Sequence, residues 1–273
     1  MSLKDRIKAV MFDFDGTLID YDSKTTKETN DALRKLKEKG YVLILNSGRP
    51  VAISLLAVED IFEENYFDYC FGCNGSEFYD CQNHKLELLA YLDPATIKDV
   101  EKLLRSELLY VGVYDGTDFL VDKQPVEEYA FKWFKERYLN VKVVDFSKDI
   151  IKDYPKVLSL SAKEDRPQVT EMIANINDER FDMYFSSPNA LETVPKGVSK
   201  ALSVEKILDN FDLKAEEILS FGDSANDIPM LVATTGVIME NADEKLKKDF
   251  TYRCPAIEDG GVYVFLKKEG FID

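Results

Sequence analysis

Two aspartates separated by one residue, Asp13 and Asp15, stand where an apolar run stops, and Gly16 and Thr17 follow at once. Residues 7–12 predict a buried strand, with the Gly-Thr pair as the turn that ends it. Carboxylates at i and i+2 repel each other unless a cation sits close by. Open α/β sheets place their sites beyond the carboxyl ends of strands, so this pairing suits a divalent metal and phosphoryl chemistry. Two later segments have the same polar character: Ser47-Gly48-Arg49 and Gly222-Asp223-Ser-Ala-Asn226-Asp227. A basic stretch carrying Lys196 and Lys200 lies between them. In a parallel sheet such ends share one edge, so Asp13, Asp15 and Asp223 make a set of hard oxygen donors that favours Mg2+. A lysine is expected to balance the remaining charge, with a hydroxyl and backbone amides holding phosphoryl oxygens.

The elements that must position these groups alternate between strand and helix. After the first strand, Thr25-Thr-Lys-Glu28 reads as a capping box. A helix carrying Leu33 and Leu36 follows and stops at Gly40. Residues 41–45 predict a second strand, Pro50 the first turn of the next helix, and 69–73 a third strand broken at Asn74-Gly75. From 83 to 187 the texture changes. Residues 109–114 and 119–121 flank Asp115-Gly116 as a hairpin. Further strands are expected at 141–146, 157–162 and 183–185, with helices near 125–137 and 166–176. Phe131, Trp133 and Phe134 read as core of this segment rather than a platform for stacking bases. The strand and helix alternation then resumes, with a helix at 199–211, strands at 218–221 and 236–239, and Asn241-Ala-Asp243 opening a short helix. The expected fold is α/β: a doubly wound, Rossmann-like parallel core from residues 1–82 and 188–273, with an α+β domain inserted at 83–187 as an antiparallel sheet with helices on one face.

Bulk properties narrow the function. The 273 residues are 45% hydrophobic and 32% charged, which supports packed cores rather than disorder. The net charge of −16, from 35 basic and 51 acidic residues, argues against a nucleic-acid partner or an anionic membrane surface. A small anionic substrate stays compatible, because one metal and a few cations reverse the potential inside a cleft. No secretory pattern and no membrane-length apolar run is present, so a cytoplasmic location is expected, as a monomer or homodimer. Cys70, Cys73, Cys81 and Cys254 make no disulfide framework, and Cys70-Phe-Gly-Cys73 is given no function. His84, the sole histidine, sits in a polar turn, which leaves little room for histidine catalysis.

Asp13-Phe14-Asp15-Gly-Thr17, Ser47-Gly48-Arg49, Lys200 and Gly222-Asp223-Ser-Ala-Asn226-Asp227 resemble the four motifs of the haloacid dehalogenase superfamily phosphatases, and among them the Cof-type hydrolases. The resemblance extends over nearly the whole chain. Asn74-Gly75, the 195–200 segment, Asn241-Ala-Asp243 and Glu258-Asp-Gly260 agree with it. It implies a Mg2+-dependent phosphatase acting on a small phosphorylated metabolite through an aspartyl-phosphate, with the insert as a cap. By the same resemblance Asp13 is the nucleophile and Asp15 the acid and base. Mg2+ is held by Asp13, the Asp15 carbonyl and Asp223. Ser47 and the amides of Phe14 and Asp15 bind the phosphoryl group, with Gly48 beside them, and Lys200 neutralises its charge. Arg49 contacts phosphate or the rest of the substrate, Asn226 and Asp227 orient phosphate, lysine or metal waters, and Thr17 orients the Asp15 loop. Ala201 replaces the glycine usual after the lysine, which keeps Lys196 open as the alternative. Ser47 as a simple helix cap is another open reading. So are a sugar phosphomutase or phosphotransferase and a non-catalytic module that binds phosphorylated ligands.

Overall fold

The computed structural model describes residues 2–20, 22–106, 108–124, 130 and 140–273. The strands in chain order begin with β1 Ala9–Phe12, β2 Val42–Asn46, β3 Tyr69–Gly72, β4 Glu77–Asp80 and β5 Lys85–Leu88. They continue with β6 Tyr110–Asp115, β7 Asp118–Val121, β8 Asn140–Val143, β9 Val157–Leu160, β10 Phe181–Phe185 and β11 Ala190–Pro195. The last three are β12 Ile218–Gly222, β13 Thr235–Met239 and β14 Tyr252–Cys254. Two compact units divide them: Met1–Glu87 with Ser199–Asp273, and Leu88–Val198.

In the first unit eight strands follow the order β14-β13-β12-β1-β2-β3-β4-β5. The six from β14 to β3 are parallel to one another, and β4 turns back antiparallel on β3. All four residues of β1 are buried, as expected of a strand covered on both faces. Val10, Phe12, Leu43, Leu45, Leu219 and Phe221 alternate along the central strands and pack with Leu33 and Leu36 from the helix Lys27–Glu38 and with Phe265 and Leu266 from Gly261–Lys268. Phe12 lies opposite both Leu45 and Phe221, so the residues that follow them emerge side by side on one edge.

Local signals needed two corrections here. Thr26, not Thr25, caps the helix Lys27–Glu38 by accepting from the Thr29 amide at 3.1 Å, while Thr25 donates to the Leu18 carbonyl. Only Thr25 has the glutamate three residues on, but the Leu18 contact takes its hydroxyl and leaves Thr26 to cap. Pro50 sits just before the helix Val51–Ile61, and the Glu77 carboxylate of β4 receives the Val51 amide at 2.7 Å. An anion at a helix start is favourable, so this strand end supplies the cap that proline lacks.

The second unit is a six-stranded sheet, β10-β11-β9-β6-β7-β8. Its pairs are antiparallel except β7 with β8, which run parallel and so depart from the all-antiparallel expectation. Val111, Val113, Val157 and Leu191 form a core with Ile97, Val100 and Leu104 of the helix Pro94–Leu104 and with Val169 of Arg166–Ile173. Gly116, at φ +63°, makes the turn between β6 and β7. The strand expected at 141–146 ends at Val143, because Asp145 caps a short helix, Phe146–Asp149, through the Ser147 amide. The helix expected near 125–137, with Phe131, Trp133 and Phe134, lies outside the described residues.

The second compact unit spans Leu88–Val198, beside the 83–187 expected for the insert. The β4 and β5 strands extend the first sheet, and β11 pairs with β9 and β10 in the second. Among the described residues no helix is long and apolar enough to cross a membrane. Cys70 Sγ lies 3.6 Å from Cys81 Sγ across β3 and β4, so its sulfur neighbour is not Cys73, and none of the four cysteines is in a disulfide.

Candidate active site

The edge formed by the ends of β1, β2 and β12 carries a buried cluster of charge. Asp13, Asp223 and Asp227 each offer a carboxylate oxygen, and these atoms lie within 4.8 Å of one another. Lys200 is fully buried; its ammonium donates to Asp13 Oδ1 and, at 2.5 Å, to Asp227 Oδ1. Three carboxylates against one ammonium leave the ionised cluster two charges negative. Burial first, and the neighbouring Asp227 next, push the Asp13 carboxyl well above the usual carboxylate range. Burial works against the Lys200 ammonium, yet Asp13 and Asp227 outweigh it and hold its pKa above that of an ordinary lysine.

Asp13 Oδ2 is buried without a hydrogen-bond partner among the described residues. A buried carboxylate oxygen with no donor is costly, and a hard cation is the group that satisfies it together with surplus negative charge. The donor set therefore fits Mg2+, which the Asp13 and Asp223 carboxylates could hold. Asp227 is differently committed. Its Oδ1 takes Lys200, and its Oδ2 accepts from the Asp223 and Ser224 amides at 3.1 and 2.9 Å. It therefore ties the Gly222–Asp227 loop to the lysine.

Asp15 does not join the cluster through its side chain. Its carboxylate meets Arg49 in a forked pair, with Nε to Oδ2 at 2.8 Å, and the guanidinium lies over the Phe14 ring. Arg49, expected on the substrate, is thus engaged with Asp15. The Phe14 ring belongs to the core, which leaves only its backbone for the site. Ser47 is buried, and its Oγ accepts from the Arg49 amide at 3.0 Å rather than capping the helix that starts at Val51. Asn226 donates to Asn74 Oδ1 at 3.1 Å, beside Gly48. Thr17 is buried, and its hydroxyl has no hydrogen-bond partner among the described residues. Lys196 lies in the other unit, paired with Asp182 at 2.6 Å and half exposed.

Three asparagines shape the site beyond the four motifs. Asn241, after β13, donates to the Gly16 carbonyl at 2.8 Å and to Asp223 Oδ2 at 3.2 Å, joining the first and last acidic segments. A Cβ on Gly16, whose φ is +84°, would lie 2.3 Å from Asp223 Oδ2, so only glycine fits there. Asn46, fully buried at the end of β2, donates to the Lys200 carbonyl at 3.2 Å, and Ser203 donates to the same carbonyl at 2.6 Å. Asn74 is the third. Asn74 and Asn241 were visible only as minor signatures, and nothing local marks Asn46.

Comparison with known proteins places this arrangement. A family model for haloacid dehalogenase-like hydrolases matches residues 10–266. A 5-amino-6-(5-phospho-D-ribitylamino)uracil phosphatase of Bacillus subtilis is 25% identical over 266 residues, covering 95% of this chain and 96% of its own. A haloacid dehalogenase-like hydrolase from Bacteroides thetaiotaomicron is similar in structure with a TM-score of 0.86 at 25% identity, over 96% of this chain and 99% of that one. A sugar phosphatase of subclass IIB gives a TM-score of 0.79 at 24% identity, over 97% and 100% of the two chains. The chain belongs to the haloacid dehalogenase-like hydrolase family, and it shares the fold of the subclass IIB sugar phosphatase.

Proposed function

We propose that the protein is a Mg2+-dependent phosphatase of a small phosphorylated metabolite, a sugar phosphate or phosphorylated cofactor, working through an aspartyl-phosphate on Asp13. The observation that carries this reading is the excess of buried negative charge around an unpartnered Asp13 oxygen, held against Lys200. Asp13 attacks phosphorus in line and the ester oxygen departs, which splits one difficult displacement into two easier ones. Asp15, aimed by Arg49, gives a proton to the departing oxygen and later takes one from the water that hydrolyses the intermediate. Lys200, Ser47 and the backbone amides of Phe14 and Asp15 hold the phosphoryl oxygens as charge develops on them. Asp13, Asp223 and the Asp15 carbonyl would hold the Mg2+, which supplies positive charge that offsets repulsion between an anionic nucleophile and an anionic substrate. The inserted unit serves as the cap that selects the rest of the substrate.

The test is a panel of phosphorylated metabolites, with p-nitrophenyl phosphate and a 3′-phosphorylated oligonucleotide as references, scored by kcat/KM in Mg2+ and in EDTA. One or a few small metabolites should exceed both references, EDTA should stop turnover, and Asp13→Asn should abolish it. Phosphate release retained in Asp13→Asn, or transfer to a sugar rather than water, contradicts the reading.

A further inference from the structure

Cys73, Asn74 and Gly75, directly after β3, have φ of +51°, +57° and +94°, three left-handed residues in succession. Left-handed backbone is natural for glycine, tolerated by asparagine and disfavoured for cysteine. An Asn-Gly turn between β3 and β4 accounts for some of this by itself. It does not account for where the Asn74 side chain goes. That side chain is buried, and its Oδ1 accepts from Nδ2 of Asn226, 152 residues along the chain.

The backbone of the same turn grips a second segment. The Asn74 amide donates to the Ser47 carbonyl at 3.0 Å, and the Cys73 amide donates to the Arg49 carbonyl at 2.9 Å. A third segment packs against its end: a Cβ on Gly75 would lie 3.2 Å from the Ser199 carbonyl and 3.3 Å from the Ser203 amide, on either side of Lys200. Asn226 is fixed from both ends, since its Oδ1 also takes the Ser224 hydroxyl at 2.5 Å. A carboxamide nitrogen carries two protons. With one given to Asn74, the other keeps a defined direction. Without the Asn74 oxygen, the Asn226 carboxamide can turn over and present its own oxygen to an anion.

We infer that Asn74 is a positioning residue for phosphate binding, orienting the Asn226 carboxamide while its turn anchors the Ser47–Arg49 backbone. This rests on the proposed phosphatase reading, in which Ser47 holds phosphoryl oxygens, extended by the role in orienting phosphate that the motif resemblance implies for Asn226. It adds a fifth stretch of chain to the four motifs.

Asn74→Gly tests it, because glycine keeps the left-handed backbone without strain and removes only the side chain. Asn74→Gly, Asn226→Ala and the double variant are compared by Mg2+-dependent hydrolysis of p-nitrophenyl phosphate, inhibition by inorganic phosphate, and melting temperature. Each single variant should raise KM and the phosphate Ki about tenfold with kcat within about twofold, the pattern of lost ground-state binding. The double variant should be no more than about twofold worse than Asn226→Ala, since both act through one group. Unchanged KM and Ki in Asn74→Gly overturn the inference, as do multiplicative effects in the double variant. A fall in kcat and melting temperature at constant KM and Ki also overturns it, because that marks a structural role alone. Calorimetric titration with inorganic phosphate reads the same affinity without turnover, so an inactive wild type would count against the phosphatase reading separately.

Discussion

Replacing Asp13 by asparagine should stabilise the metal-free protein while abolishing its activity. Asp13 has two carboxylate neighbours with oxygens within 4.8 Å. At an effective dielectric of about 20, each such pair repels by about 3.5 kcal/mol, or about 7 kcal/mol together. The contact with Lys200, taken at a hydrogen-bonded separation of about 3 Å, returns about 5.5 kcal/mol. The remainder is about 1.5 kcal/mol of net repulsion, to which burial of the charge adds. Asparagine has the same shape and no charge, so Asp13→Asn in EDTA near neutral pH should melt about 3–6 °C higher than wild type, at about 2–4 °C per kcal/mol for a chain of this size. Mg2+ at about one hundred times its dissociation constant adds about 2.7 kcal/mol to the form that binds it, enough to lift wild type above the variant. The pH dependence has a definite sign. Because the Asp13 pKa is raised in the folded state, wild-type stability in EDTA falls as pH rises from the ordinary carboxylate range through the raised value, and Asp13→Asn should flatten that slope. Scanning calorimetry across pH, with and without Mg2+, makes the measurement. A variant that melts at or below wild type in EDTA would refute the charge argument.

Three further outcomes follow from the same geometry. Lys200→Ala leaves three buried carboxylates without their ammonium and should lower turnover at least about a thousandfold and destabilise the metal-free protein by about 3–5 kcal/mol. Lys196→Ala, whose side chain pairs with Asp182 at the surface of the other unit, should leave kcat/KM within about twofold, and steady-state kinetics with denaturant melts separates the two. Asn241→Ala removes the link between the Gly16 carbonyl and Asp223 and should weaken Mg2+ binding about tenfold or more. A Mg2+ titration of activity that gives the same half-saturation as wild type would show that Asn241 does not orient the donors.

The parts of this molecule that a sequence reveals are those written in adjacent residues. An apolar run closed by Asp13 and Asp15 shows a strand end because burial and charge change abruptly within three positions. Other parts depend on residues that meet only after folding. Thr25 carries the capping-box spacing to Glu28, yet the Leu18 carbonyl claims its hydroxyl and Thr26 caps the helix instead. Arg49 looks like a group for the substrate, since its pairing with Asp15 crosses between two segments. β5 was unreadable because Lys-Leu-Glu-Leu at the sheet's edge is largely exposed and lacks a buried stripe. Asn46 carries its signal only through the carbonyl of Lys200, 154 residues later, where no local pattern points.

The strand that ends just before Asp13 has one neighbour close along the chain, β2, and another, β12, that arrives about two hundred residues later. During synthesis Ala-Val-Met-Phe therefore waits as an exposed, hydrophobic sheet edge until nearly the whole polypeptide has emerged. Such an edge invites pairing with other chains. Truncations that end before residue 218 should accordingly aggregate rather than yield a soluble fragment, which makes the last fifth of the polypeptide a guardian of solubility.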